Sequence, residues 1–234
     1  MTGKKKERDP KLMILDLMAE KAGMKQDVHA RTKETFAMLK EELKALAEQL
    51  GTAIAARDPR LKVEYSEQGD LSAQVVAAGD TVIFTMHTNV FRLDQSNNLW
   101  RTSYLEADEL RGYFGVVNVY NFLSDSFRFD REHDLGYLVA RIFLNKDGHF
   151  FVQGRKQLGF LYNDLADAVL DRPAIQKVIC SVILYVLNFD LLVPPYDQVN
   201  QVTVEEMKQL NMNSMISTGK RLGFRFQADS DEVT

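Results

Sequence analysis

Five acidic or imidazole side chains crowd a ten-residue stretch: Asp125, Asp130, Glu132, His133 and Asp134. Carboxylates so placed could hold a hard cation through their oxygens. Two arginines, Arg128 and Arg131, are interleaved with them and compete as ion-pair partners. The spacing matches no cation loop, so the stretch reads as a solvated loop and no metal is assigned. His149 is the other imidazole nearby. The hairpin register derived below puts it at the turn end, with His133 beyond the opposite end, roughly 30 Å away at ~3.3 Å per residue. The two cannot share a metal or a catalytic dyad within one chain. His29 and His87 have no evident partner. Cys180 stands alone in the apolar run Val178–Leu187, where a thiol packs as a small hydrophobe. One cysteine forms no internal disulfide, which points to a reducing compartment.

Stronger chemical signatures are missing. No glycine pattern for a dinucleotide occurs. Gly219-Lys220 is followed by Arg221 and has no glycine five residues earlier, so it is no phosphate loop. Zinc-protease, nucleophile-elbow and paired-cysteine patterns are absent. The expectation is a non-enzymatic chain with no catalytic residue, no cofactor and no metal. The alternative is a small-ligand-binding protein or enzyme whose site lies near the 125–134 loop, with His133, Arg128 and Arg131.

The 234 residues carry 29 basic and 33 acidic side chains, for a net charge of −4; 45% are hydrophobic and 26% charged. This is the composition of a soluble globular chain, neither disordered nor disulfide-stapled. Lys4, Lys5, Lys6, Arg8 and Lys11 make a basic head, but it has no apolar stretch of the kind a signal peptide needs. Phosphate affinity comes from clustered Lys and Arg, so the acidic body disfavours a nucleic-acid surface. Arg111-Gly112-Tyr113-Phe114-Gly115-Val116 is similar to an RNA-recognition strand, with the glycine and second aromatic in swapped order. The most apolar segment is ten residues long, half of the ~20 a membrane span requires. The protein is expected to be cytoplasmic, without membrane contact.

Spacing then assigns the elements. A short helix over Lys11–Ala22 stops at Gly23, and a longer one runs over about Lys25–Leu50 to Gly51. Phe36, Leu39, Leu43, Leu46 and Leu50 form an a/d seam of two heptads. Two heptads are short for an independent coiled coil, so the seam is read as docking on the chain's own sheet, with a dimer contact as the other reading. Runs at Leu61–Ser66, Leu71–Ala78 and Thr81–Leu93, separated by short turns, give an antiparallel meander. Leu105–Phe122 fits either a helix, from its acidic start and helical spacing, or a strand, from its valines. Gly136–Leu144 and His149–Gln157 are strands joined by Asn145-Lys146-Asp147-Gly148, a type I turn with Gly148 left-handed. Asp171 and Pro173 begin a helix with a wide apolar stripe from Ile175 to Leu187. Thr203 and Glu206 form a capping box for a last helix to about Met215, and Leu222–Phe226 an edge strand.

The four-residue hairpin loop fixes the strand register. Ile142 faces Val152, Leu144 faces Phe150 and Ala140 faces Gly154, which makes an apolar face. Phe143 faces Phe151, Arg141 faces Gln153 and Val139 faces Arg155, which makes a mixed one open to solvent or a partner. Tyr137, Arg141, Phe143, Phe151, Gln153 and Arg155 are therefore the candidate partner-binding residues.

Taken with a helix at Leu105–Phe122, the element order over about residues 25–189 resembles the type III secretion chaperone-like fold, shared by the bacterial YbjN family of sensory-transduction regulators. Val117-Asn118-Val119-Tyr120-Asn121 resembles that family's V-N-x-x-N at the end of a middle helix, and Ile142–Val152 its strand, acidic turn and strand. The resemblance implies an α+β fold, an antiparallel sheet packed with helices in the order α-βββ-α-ββ-α. It also implies a homodimer and a chaperone-like or regulatory protein-binding role, with no catalytic residues. Residues 1–24 form a basic head and short helix, 25–193 the core domain, and 194–234 an accessory segment with an acidic tail.

Overall fold

The computed structural model describes residues 9–154, 157–160, 162, 164–189, 195–205 and 207–208. Helix α1 (Pro10–Leu17) runs through a π turn (Met18–Ala22) into α2 (Gly23–Ala55) without a break. The meander is β1 (Val63–Glu67), β2 (Ser72–Ala77) and β3 (Asp80–Met86). A two-residue strand β4 (Phe91–Arg92) and a short helix α3 (Ser103–Ala107) lead to β5 (Tyr113–Leu123). One turn of helix, α4 (Ser124–Arg128), precedes β6 (Tyr137–Asn145) and β7 (Phe150–Gly154). Helices α5 (Gln157–Phe160), α6 (Arg172–Leu187) and α7 (Tyr196–Val199) follow.

All strand pairs are antiparallel, in the order β1-β2-β3-β5-β6-β7, with β4 added beside β5. The fold is α+β, with helices on an antiparallel sheet. The hairpin register is the one read from the turn length: Ile142 pairs with Val152, Phe143 with Phe151 and Arg141 with Gln153, and Gly148 is left-handed at φ 84°. Helix α6 starts on Asp171, whose carboxylate accepts from Ala174 N–H, and buries Ile175, Val178, Ile179, Val182, Ile183 and Val186.

Several expectations are corrected. Gly23 does not end a helix: it sits at φ −56°, ψ −53° in mid-helix. Helical propensity on both sides outweighs the ~1 kcal/mol that a glycine costs. Gly51 is likewise inside α2. The run Thr81–Leu93 is not one strand, since β3 stops at Met86. Most of Leu105–Phe122 is strand, preceded by α3, so Val117–Asn121 lies in a sheet rather than at a helix end. With the two-residue β4 and the helices of four or five residues (α3, α4, α5 and α7) set aside, the order is a long helix, six strands and a helix, not α-βββ-α-ββ-α. The choice between helix and strand was decided by position: β5 is central, covered on both faces, and there a β-branched run packs better than a helical stripe. Cys180 faces outward from α6 and is exposed, as are Leu184 and Leu187. The seam on α2 docks at home, with Phe36, Leu39 and Leu43 buried in the core and Leu50 38% exposed. Of the last helix, Val204, Glu205, Met207 and Lys208 are described as helical, and the Thr203 carbonyl accepts from Met207 N–H; its remainder to Met215 and the edge strand at Leu222–Phe226 lie outside the described residues.

The main core lies between one face of the sheet and α2 with α6. Val75, Val82, Phe84, Val119, Ile142 and Val152 meet Phe36, Leu43, Val178, Ile179 and Val182 there. The two helices are tied at the surface: Arg172 bonds Glu41 at 2.6 Å and Glu42 at 2.7 Å, and Gln176 Nε2 donates to Glu42 at 2.6 Å. The Gln176 and Arg172 bonds hold the Glu42 carboxyl below its ordinary range. A carboxylate with a lowered folded-state pKa stabilises fully above its unfolded pKa and loses that contribution as pH falls through the folded value. Glu42→Gln therefore flattens the loss of stability below about pH 4.5, read as urea midpoints across that range.

Helix α2 crosses β5 at a close approach. A Cβ at Gly115 would overlap the side chain of Thr32, whose hydroxyl donates to Val28 carbonyl. Gly115→Ala is expected to destabilise by about 1–3 kcal/mol. Adding Thr32→Ala should recover part of the loss, so the double variant unfolds at higher urea than Gly115→Ala alone.

Candidate partner-binding surface

A second, smaller core lies on the other side of the sheet. Leu105, Phe114 and Leu165 are buried there, with Leu93, Leu99, Trp100 and Tyr104 packed around Phe143 and Phe151. The two phenylalanines stack at 4.5 Å and 2°, with Phe114 edge-on to both. Polar side chains pin this cover to the β6–β7 turn. Asn145 is fully buried; its oxygen accepts from the N–H groups of Asp147 and His149, and its amide donates to Tyr104 Oη. Arg111 pairs with Asp147 at 2.8 Å and lies over the Tyr104 ring, which stacks on His149 at 5.1 Å. Asp108 is held below the ordinary aspartate range by Lys146.

At the other end of this face, α4 covers a corner, where Phe127 meets Phe122 and Ser124 bonds Thr81. Between the two covers, Gln74, Val76, Ile83, Thr85, Asn118, Tyr120 and Arg141 are half-buried, while Leu138 and Gln153 are exposed. Arg141 bonds Gln153 across the strands and lies over the Phe143 ring. The face is apolar and polar in turn, as a wetted binding surface is.

The six candidate residues are not all on this face. A bulge in β6 pairs Val119 with Ala140 and Tyr120 with Leu138, so Val139 is the extra residue. Such a bulge reverses the alternation beyond it. Leu138 emerges on the open face, and Tyr137 turns to the helix side, where its ring lies 5.6 Å from Phe189. Phe143 and Phe151 are under the second core and act as structure. Arg141 and Gln153 remain on the open face, and Arg155 lies outside the described residues. Tyr137, Arg141 and Gln153 meet again at the rim of a depression of about 400 Å³, formed where β7 ends and lined also by Asn121, Leu138, Tyr185 and Phe189. Asn121 is 5% exposed; its amide donates to Asp80, and its oxygen has no hydrogen-bond partner among the described residues. Alternation alone could not reveal this depression, because the bulge that builds it has no sequence mark.

The 125–134 loop is held together by its own charges. Asp134 pairs with Arg131 at 2.9 Å and accepts from the Ser126 hydroxyl at 2.6 Å. No group of three metal-ligating side chains occurs among the described residues.

The most exposed apolar surface lies elsewhere. Leu12, Met13, Ile14, Leu15, Leu17 and Met18 are each 49–61% exposed, and no residue of α1 or the π turn is buried. The first buried position on the long helix is Met24, so the preceding residues form an arm with no side chain buried against the rest of the described chain. Its signal was legible as an apolar run, but not as a run apolar on every side.

If Phe151 is structural and Gln153 a surface group, alanine substitution separates them. Phe151→Ala should cost about 2–3 kcal/mol of stability and Gln153→Ala under about 0.5 kcal/mol, measured by urea unfolding. No protein-family model matches this chain, and neither does any curated protein or solved structure.

Proposed function

We propose that the chain is a non-enzymatic protein-binding module, chaperone-like or regulatory, that works as a homodimer. One observation carries the reading: six consecutive or near-consecutive large apolar side chains stand exposed on the helical arm. Exposed apolar surface of this kind costs solubility and marks protein contacts. An arm apolar on all sides is suited to burial between two bodies rather than against one. The half-polar face around Arg141 and Leu138 is a second surface for a partner, and it supports the same reading.

The apolar side chains of α1 are exposed and none is buried against the described body, so changing them leaves the core packing alone. Leu12→Gln with Leu15→Gln should leave the body folded by circular dichroism yet lower the mass in solution from dimer to monomer, by light scattering on a sizing column, and make the thermal midpoint independent of protein concentration. An unchanged dimer, or a wild-type monomer at about 100 μM, would remove the arm from this role. Arg141→Glu with Leu138→Ser should leave the dimer intact and reduce capture of the partner about tenfold or more.

A further inference from the structure

We infer that the hollow between α2 and the segment joining β3 to β4 binds a small molecule carrying phosphate and a planar ring, a nucleoside phosphate in chemical class. The hollow has a volume of about 550 Å³ and is lined by Lys25, Gln26, His29, Thr88, Asn89, Val90 and Phe91. No lining residue is acidic, although the chain as a whole has more acidic than basic side chains. Positive charge gathers beside it. Lys21 and Lys25 place their ammonium groups 5.7 Å from the centre of the Tyr113 ring, and the Arg92 guanidinium lies 5.8 Å from the same centre.

Arg92 has a carboxylate, Glu109 at 3.4 Å, and lies over the Trp100 ring at 4.9 Å, whereas no ion pair joins Lys21 or Lys25 to a carboxylate among the described residues. An aromatic ring attracts cations through its quadrupole but carries no net charge, so the repulsion between the two lysines remains. A phosphate relieves it, with the lysines as point charges and the amides of Gln26 and Asn89 and the Thr88 hydroxyl as neutral donors, beside the His29 ring. Phe91 is 41% exposed, with its ring held edge-on by His87 at 4.7 Å. It offers a flat apolar platform on which a base can stack. An ammonium group and a stacking ring lining one hollow select a ligand with both charge and a flat ring.

Calorimetric titration of the full chain at low salt tests this, with ATP, pyrophosphate and a twenty-nucleotide single-stranded oligoadenylate as separate probes. ATP should bind with a Kd below about 1 mM, weakening as salt screens the lysines. Lys21→Ala with Lys25→Ala should weaken ATP and pyrophosphate at least about tenfold, and Phe91→Ala should weaken ATP alone. Circular dichroism confirms that each variant is folded. The arm variant Leu12→Gln with Leu15→Gln should leave ATP binding unchanged, so this site and the dimer stand or fall separately. Three outcomes overturn the inference: no heat with ATP up to about 10 mM, ATP affinity indifferent to the lysine variants, or binding of the oligonucleotide alone. The last would assign the cations to a nucleic-acid backbone.

Discussion

Burial of the first half of β5, Tyr113–Val117, on both faces is the constraint from which the architecture follows. Its core side packs under α2 and α6 through Val117 and Val119, and Phe114 on the opposite side nucleates the second core. A strand enclosed in this way has no water to satisfy its backbone, so β6 pairs Phe114–Asn121 on one side while β4 and β3 share the other, at Tyr113–Phe114 and Val117–Leu123. The remaining strands extend that frame outward. The excursion between β3 and β5 has to fold back over Phe114, Phe143 and Phe151, and in doing so leaves the middle of the face uncovered.

Position on the helix divides α1 and α2 into two regimes. From Met24 onward, the buried residues repeat at helical spacing and are fixed by the sheet and α6. Before it, the side chains are apolar without a stripe, and the backbone carries a π turn. A π turn adds a residue to the helical ladder and rotates whatever precedes it. The arm is thus decoupled from the register of the core-packing helix.

Legibility in the sequence followed the locality of each signal. The β6–β7 hairpin was readable to the residue because Asn145-Lys146-Asp147-Gly148 allows one turn geometry and the apolar alternation agrees with it. The stripe of α6 was readable, except for Leu187 and Cys180, because the stripe's edge depends on what packs beside it. Leu105–Phe122 was not readable, since its residue types suit both a helix and a strand, and only burial on two faces decides. The bulge at Val139 escaped for the same reason: it depends on strand pairing across the sheet, and it moved Tyr137 away from Arg141. The hollow beside Tyr113 joins residues of α2 to residues some sixty positions later, a proximity that no local pattern encodes.

One rim of the sheet is capped by the chain itself, and the other discourages further strands. Strand β7 gives its N–H groups at Phe150 and Val152 to the carbonyls of Ala168 and Tyr162, and Leu170 N–H returns to Gly148. Strand β1, the other rim, is five residues long and carries Glu64 and Glu67, the charged short edge that discourages pairing. A partner of the kind proposed would gain little by lending an extended backbone to this sheet, the mode in which main-chain hydrogen bonds supply affinity almost regardless of sequence. On that reading, recognition is left to side chains on a face and on a helix. Such recognition reads identity rather than mere extension, and drift in the partner's sequence would be felt at once.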